Sequence, residues 1–158
     1  PEEYLAACET LRRWMPGCAV TTDLIVGFPG ETEAEFAETL DFVRAARFAR
    51  IHVFPYSRRS GTAADRMDGQ IPEAVKHERA QKLIALGNQL EREYVSSMVN
   101  TVQTVLFEQP AGEGLAEGYT GEYVRVRAPA QPGSLIPVRI LRAEDTLAVG
   151  EPTTVNGR

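Results

Sequence analysis

Residues 19–54 carry a strand, a glycine turn, a helix and a second strand in succession, and this order restricts the fold more than any other feature. Ala19–Val26 is β-branched and mostly apolar, as is typical of a parallel strand buried on both faces. Gly27–Gly30 forms a tight turn before the helix, and Arg50–Phe54 is the second strand. A βαβ unit of this kind is nearly always parallel, and strands buried on both faces need neighbours. This part of the chain is therefore predicted to belong to a larger α/β sheet or barrel.

The sequence also predicts the helices around this unit. Apolar residues at helical spacing indicate a helix over residues 2–15. Thr32 and Glu35 form the pattern of a capping box, and the helix that it starts is predicted to run to about Ala46. A long helix is predicted from Pro72, since proline fits the first position of a helix. Charged residues on this long helix are interpreted as a solvated face: Lys76, Arg79, Lys82 and Arg92.

From about Asn100 the chain changes to short apolar segments separated by glycine and proline. Alternation predicts strands at 101–107, 123–127, 135–141 and 146–150. Gly118–Gly121 is interpreted as a turn, and the series as a whole is typical of a small β-barrel. The predicted fold class is thus α/β followed by a small all-β barrel. The predicted domains are an α/β part at 1–70, a connecting helix at 71–99 and a β-barrel at 100–158.

Composition excludes several classes of protein. The 158 residues include 17 Lys and Arg and 22 Asp and Glu, a net charge of −5, which disfavours a strongly basic nucleic-acid binder but leaves a local basic patch open. No apolar run approaches the length that a bilayer needs, so no membrane partner is expected. The two cysteines, Cys8 and Cys18, are too few for a disulfide scaffold and indicate free thiols in a reducing, cytoplasmic protein.

Two segments at predicted strand ends are candidates for ligand binding. In the turn after the first strand, Gly27 and Gly30 lack a Cβ and allow backbone to approach a ligand, although a tight turn without a ligand explains them equally well. After the second strand, Tyr56, Arg58 and Arg59 combine an aromatic ring with two guanidinium groups that suit phosphate. An exposed polar loop is the alternative there.

The predicted barrel offers a third candidate. Arg125 and Arg127 lie two residues apart on one strand and so share a face, with Tyr123 nearby. Cations interleaved with aromatics suit single-stranded or looped RNA. Residues 96–158 carry five arginines against seven acidic residues, however, so an ordinary solvated face remains the alternative.

Three segments together resemble the radical S-adenosylmethionine methylthiotransferases: DLIVGFPGET at Asp23–Thr32, YSRRSGT at Tyr56–Thr62, and the helix start near Val75 with Glu78-Arg79. The predicted barrel is similar to the OB-like TRAM domain that ends those enzymes. The resemblance covers essentially the whole chain in the family's order. Within the family, His52–Ser57 is most similar to the tRNA threonylcarbamoyladenosine methylthiotransferases.

The resemblance implies a fold, an activity and cofactors. The α/β part would be the end of a radical S-adenosylmethionine barrel. The parent enzyme would use S-adenosylmethionine and two 4Fe–4S clusters to add a methylthio group to threonylcarbamoyladenosine next to the tRNA anticodon. The implied partner is the anticodon stem-loop of tRNA.

One element of the family pattern is absent from this sequence. The CxxxCxxC motif that holds the radical cluster does not occur, and Cys8 and Cys18 match no cluster motif. Since thiolates hold such clusters, no catalytic residue and no metal ligand is expected in this chain. The expectation is therefore a carboxyl-terminal portion, inactive alone, whose further partner is the amino-terminal part of the same enzyme.

The family's binding roles transfer to matching positions in this sequence. Ile25, Gly27, Val53 and Phe54 match the strand ends that contact the adenine of S-adenosylmethionine. Ser57, Arg58 and Arg59 match the mouth where the substrate enters. Tyr123, Arg125 and Arg127 are the candidates for RNA contact on the barrel.

Two other functions remain possible from the sequence. The barrel makes an autonomous RNA-binding module an alternative. Within the family, the substrate is alternatively isopentenyladenosine in tRNA or a ribosomal protein.

Overall fold

A computed structural model describes residues 1–154, and these residues belong to two compact units. The first unit is Pro1–Leu90 and the second begins at Glu91. Residues 155–158, which end the predicted 100–158 barrel domain and include Arg158, lie outside the described part. The division into 1–70, 71–99 and 100–158 stays a prediction.

The first unit contains a two-stranded parallel sheet with helices. Its elements are α1 (Glu2–Trp14), β1 (Thr21–Val26), α2 (Glu33–Ala46), β2 (Arg50–Pro55), a 3-10 turn (Ala64–Arg66) and the first part of α3 (Glu73–Ser97). The βαβ unit predicted from the sequence is present, with β1 and β2 paired in parallel. The capping box is also present, because the Thr32 side chain accepts from the Glu35 backbone and the Glu35 carboxylate accepts from the Thr32 backbone.

One face of this sheet is packed and the other is open. Apolar side chains from β1, α2 and α3 form a single core, which includes Val26, Phe36, Val43 and Leu83. Leu24, Ile51 and Val53 pack against the same core. Side chains alternate between faces along a strand, so the residues between these point the other way, and Asp23, Ile25, His52 and Phe54 are exposed.

The second unit is a closed five-stranded barrel. Its strands are β3 (Val102–Gly112), β4 (Leu115–Thr120), β5 (Arg125–Pro129), β6 (Leu135–Glu144) and β7 (Leu147–Pro152), in the order β3-β4-β5-β7-β6. The β3–β6 pair closes the barrel, and β5 and β7 pair in parallel. Phe107, Val126, Val138 and Ile140 fill the interior, joined by Val95 of α3. An α/β part followed by a small all-β barrel is the fold class that the sequence predicts.

The interpretation of Gly118–Gly121 as a turn is wrong for its first three residues, which lie in β4. Gly118 lies inside β4, opposite Phe107 of β3 and Val126 of β5. A Cβ built on Gly118 would lie 2.0 Å from the carbonyl oxygen of Leu106. The glycine therefore allows two backbones to approach closely beside a bulge in β3, and it does not reverse the chain.

Among residues 1–154, no helix combines the length and the apolar composition that crossing a bilayer requires. The longest helix, α3, has 25 residues but carries charges along its length.

Candidate functional site

The carboxyl ends of β1 and β2 place two solvent-exposed apolar side chains next to each other. Ile25 pairs with Phe54 in the register of the sheet. Parallel neighbours in register point to the same face, and these two side chains are 60% and 51% exposed. Among the four residues predicted to bind the cofactor, the structure brings these two together on a surface that a flat apolar ring could cover.

The other two predicted cofactor residues lie elsewhere. Val53 points to the opposite face and packs against the core. Gly27 is buried in the turn, where a Cβ would lie 2.4 Å from the Cγ of Lys76. Its φ of +71° also favours glycine. Side-chain packing thus accounts for Gly27, whereas Gly30 has open space beside it and a φ of +87°.

An ion-pair network centred on the buried Arg79 side chain holds this turn in place. The Glu31 carboxylate accepts from the Gly27 backbone N–H at 2.7 Å and from Arg79 Nη1 at 2.5 Å. Arg79 Nη1 also donates to the Glu31 carbonyl oxygen at 3.0 Å, and Nη2 donates to Glu33 at 2.6 Å. Burial acts to lower the pKa of Arg79, but the hydrogen bonds to Glu33 and Glu31 raise it overall. The guanidinium therefore stays charged although the residue is only 4% exposed.

Lys76 completes the network one turn earlier on α3. Its stem packs against Gly27, its ammonium lies 2.7 Å from Glu73, and it sits 5.2 Å from the centre of the Tyr56 ring. The Tyr56 hydroxyl is buried without a hydrogen-bond partner among the described residues. Lys76 thus joins the turn after β1 to the first residue after β2.

The interpretation of Lys76 and Arg79 as part of a solvated face is wrong. Both are buried, because the stripe through Leu90 and Leu83 continues backward at helical spacing onto these positions. The helical spacing in the sequence therefore indicates that both positions face the core, but a pattern of apolar residues alone does not include them. Lys82 and Arg92 of the same set are exposed, as predicted.

The two arginines in the loop after β2 differ in their hydrogen bonds. Arg58 donates from Nε to Asp65 Oδ1 at 2.5 Å and from Nη2 to the Asp65 carbonyl oxygen at 2.7 Å. Arg59 and Ser57 are exposed. The three residues predicted at the substrate mouth are therefore neighbours, but one of the two cations is already paired.

The barrel arginines share one carboxylate. Arg127 of β5 donates from Nε at 2.9 Å and from Nη2 at 2.6 Å to a single oxygen of Glu117 on β4. Arg125 Nη1 lies 3.9 Å from the other oxygen. Tyr123 is 75% exposed with a φ of +60°, and its backbone is held by the adjacent Thr120. Arg125 is consequently the less engaged of the two cations.

An exposed row that the sequence reasoning missed leads to Arg125. Leu135 of β6 pairs with Leu106 of β3, Leu106 pairs with Tyr119 of β4, and Tyr119 pairs with Arg125. All four side chains are exposed. Leucines in a predicted strand are expected in the core, and only the buried neighbours of Leu106 within β3 reveal that it points outward.

Comparison with known proteins agrees with this architecture, although no protein-family model matches the chain. It is 45% identical over 140 residues to the threonylcarbamoyladenosine tRNA methylthiotransferase MtaB of Bacillus subtilis. That alignment covers 84% of this chain and 31% of the relative. Over most of its length the chain is therefore similar to part of a methylthiotransferase.

Relatives named for a different modified nucleoside are similar to the chain as well. The tRNA-2-methylthio-N(6)-dimethylallyladenosine synthase of Mycobacterium bovis is 47% identical over 135 residues, covering 85% of this chain and 25% of the relative. That of Mycobacterium avium is 42% identical over 153 residues, covering 97% of this chain and 20% of the relative. The chain therefore spans between about a fifth and a third of the length of these methylthiotransferases.

The chain offers no ligand set for an iron–sulfur cluster within residues 1–154. No group of three or more His, Cys, Asp or Glu side chains lies close enough to hold a metal in that range. Cys8 is buried in the first unit and Cys18 is half-buried. The described residues do not fit a cluster, and no chemical step is assigned to one here.

Proposed function

We propose that the protein containing this chain is a cytoplasmic radical S-adenosylmethionine enzyme that methylthiolates tRNA beside the anticodon. In this proposal the first unit supplies the last strands of the catalytic domain and the barrel is its TRAM domain. The observation that carries the proposal is the 45% identity to a threonylcarbamoyladenosine tRNA methylthiotransferase over most of the chain. The amino-terminal part of the same enzyme would supply the clusters.

The exposed ends of β1 and β2 fit the adenine of S-adenosylmethionine. Ile25 and Phe54 offer adjacent apolar surface for the faces of the ring. The Gly27 N–H already donates to Glu31, so Gly27 contributes the shape of the turn and not a hydrogen bond to the ligand. Val53 points to the opposite face and packs β2 against the core. S-adenosylmethionine would supply radical chemistry when bound, and Ile25 and Phe54 of this chain would hold and orient its adenine ring.

Threonylcarbamoyladenosine is the substrate that we assign. The segment His52–Ser57 and the Bacillus subtilis relative support it. Dimethylallyladenosine in tRNA is the second candidate, because relatives named for that product are 42% to 47% identical to the chain. The two nucleosides carry different N6 substituents, and of the two only the threonylcarbamoyl group has a carboxylate.

The barrel is assigned to contact with the RNA. Arg125 and Tyr123 are exposed beside the row that ends in Leu135, and aromatic rings with a nearby cation suit unstacked bases. Arg127 is expected to contribute less, because Glu117 holds its guanidinium at two nitrogens.

Binding of S-adenosylmethionine to the full-length protein tests the cofactor assignment. The variants Ile25→Thr and Phe54→Thr remove apolar surface and place threonine, a β-branched residue that suits strands, at both positions. Each is expected to weaken the affinity about tenfold, in line with the loss of one buried apolar side chain. Equilibrium dialysis of labelled S-adenosylmethionine under anaerobic conditions measures the effect.

Trp14→Ser is the matched control, since Trp14 is an exposed aromatic residue on α1 outside the strand ends. Its affinity should equal that of the wild type. A wild-type protein that binds no S-adenosylmethionine would refute the proposed function. Unchanged affinity in both strand variants would refute only the site.

A further inference from the structure

The loop between β2 and the 3-10 turn is closed by the carboxylate of Asp65. One oxygen accepts from Arg58 Nε at 2.5 Å, and the other accepts from the Gly61 backbone N–H at 3.2 Å. Arg58 Nη2 reaches the Asp65 carbonyl oxygen at 2.7 Å as well. A guanidinium that donates twice to one residue has a fixed orientation. Arg58 therefore ties the start of the loop to its end.

The backbone of the next residue is held too. The Thr62 hydroxyl donates to the carbonyl oxygen of Arg59 at 2.9 Å and accepts from the backbone N–H of Asp65 at 3.1 Å. The Thr62 backbone N–H lies 3.3 Å from the same Arg59 carbonyl. The main chain at Arg59 is thus fixed by the same short loop that Asp65 closes.

Among the described residues, the side chain of Arg58 is ion-paired, whereas that of Arg59 is not. The hydrogen bond from Arg58, with a second from the Gly61 backbone, lowers the pKa of Asp65, so this carboxylate stays ionised at neutral pH and offsets the charge of Arg58. Arg59 is exposed, and within residues 1–154 its guanidinium has no hydrogen bond or ion pair. The loop therefore presents an unpaired cation on an ordered backbone at the carboxyl end of β2.

We propose that Arg59 binds an anionic oxygen of the tRNA substrate and that Arg58 is a positioning residue that holds the loop through Asp65. This division of roles rests on the proposed function and refines it. Two sources of the anion share this chemistry, a backbone phosphate and the carboxylate of the threonylcarbamoyl group. Arginine suits both, because its planar donors match two oxygens at once.

Affinity of the full-length protein for tRNA tests the division. Arg59→Ala is expected to weaken binding about ten- to hundredfold, the usual effect of losing a hydrogen bond to a charged group. Arg59→Lys keeps the charge and should retain part of the affinity. Arg44→Ala is the control, since Arg44 is exposed on α2 and pairs only with Asp41 among the described residues; it should match the wild type.

The positioning role predicts a different pattern. Arg58→Ala, Arg58→Lys and Asp65→Asn should weaken binding alike and by less than Arg59→Ala, because each opens the same closure. The double variant Arg58→Ala/Asp65→Asn should be no weaker than either single variant. The melting temperature of each variant is measured alongside its affinity. If Arg58 only stabilised the fold, the affinities would not show this non-additive pattern while the melting temperature stayed unchanged.

Two forms of the tRNA distinguish the two sources of the anion. With tRNA that carries threonylcarbamoyladenosine and the same tRNA with plain adenosine, a carboxylate partner confines the Arg59→Ala loss to the modified RNA. A phosphate partner gives the same loss with both.

If the wild-type protein is active, two results would overturn the inference. Unchanged affinity in Arg59→Ala excludes its contact with the anion. A loss in Arg58→Ala with none in Asp65→Asn makes Arg58 itself the ligand. A wild type that neither binds nor modifies tRNA would instead overturn the proposed function, and this inference with it.

Discussion

Replacing Gly118 with alanine is expected to prevent the barrel from closing. The new Cβ would lie 2.0 Å from the carbonyl oxygen of Leu106 and 2.6 Å from the Cα of Phe107. These are backbone atoms of the neighbouring strand, and they cannot move aside without breaking the β3–β4 pairing. We expect a loss of more than about 3 kcal/mol in the free energy of unfolding, beyond the usual cost of overpacking. Amide hydrogen exchange along β3, β4 and β5 measures it directly.

Gly121→Ala is the matched control for this substitution. Gly121 follows β4 by one residue, and a Cβ there meets no heavy atom within 4 Å. Its φ is not positive, so alanine fits the backbone. The free energy of unfolding should change by no more than about 0.5 kcal/mol. Equal exchange in the two variants would show that the close approach at Gly118 does not limit the fold.

Replacing Arg79 with alanine should destabilise the first unit strongly. The variant leaves the Glu31 carboxylate, which is 13% exposed, without its main cation beneath the turn after β1. Breaking a buried pair by removing one partner typically costs about 3–5 kcal/mol. Urea denaturation followed by the helical circular dichroism signal, which comes from α1, α2 and α3, measures the change. Weaker anchoring of Gly27 should follow, because Glu31 also accepts its N–H.

Lys82→Ala is the control on the same helix. Lys82 pairs with Glu78 at 2.7 Å, but both side chains are more than half exposed. Exposed pairs of this spacing contribute about 0.5 kcal/mol or less. If the Arg79 and Lys82 variants unfold at the same urea concentration, the network behind the turn has no structural role.

Local patterns explain what the sequence predicted well. The capping box of Thr32 and Glu35 depends on residues three apart, and the βαβ order depends on the apolar character of two short strands. Each of these signals is complete within a few neighbouring positions. The placement of Ile25 beside Phe54 follows once the strands are known to be parallel.

Long-range pairing explains what the sequence left open. Arg79 pairs with Glu31 across 48 positions, and although its helical spacing from Leu83 indicates burial, nothing near Arg79 in the sequence identifies its partner. Position 118 needs glycine because β3 approaches it closely, and a glycine in a sequence fits either a turn or such a close approach. The roles of Ile25, Phe54, Arg59 and Arg125 in binding stay predictions, since they concern molecules that the fold of this chain does not determine.

Measurement of the modified nucleosides in tRNA tests the central claim most directly. Deletion of the gene that contains this chain, followed by mass spectrometry of the nucleosides of total tRNA, should show loss of the 2-methylthio form of threonylcarbamoyladenosine and accumulation of its unmodified precursor. The intact gene should restore the product. Loss of the methylthio form of dimethylallyladenosine instead would transfer the assignment to the second substrate. Unchanged levels of both methylthio nucleosides would contradict the account.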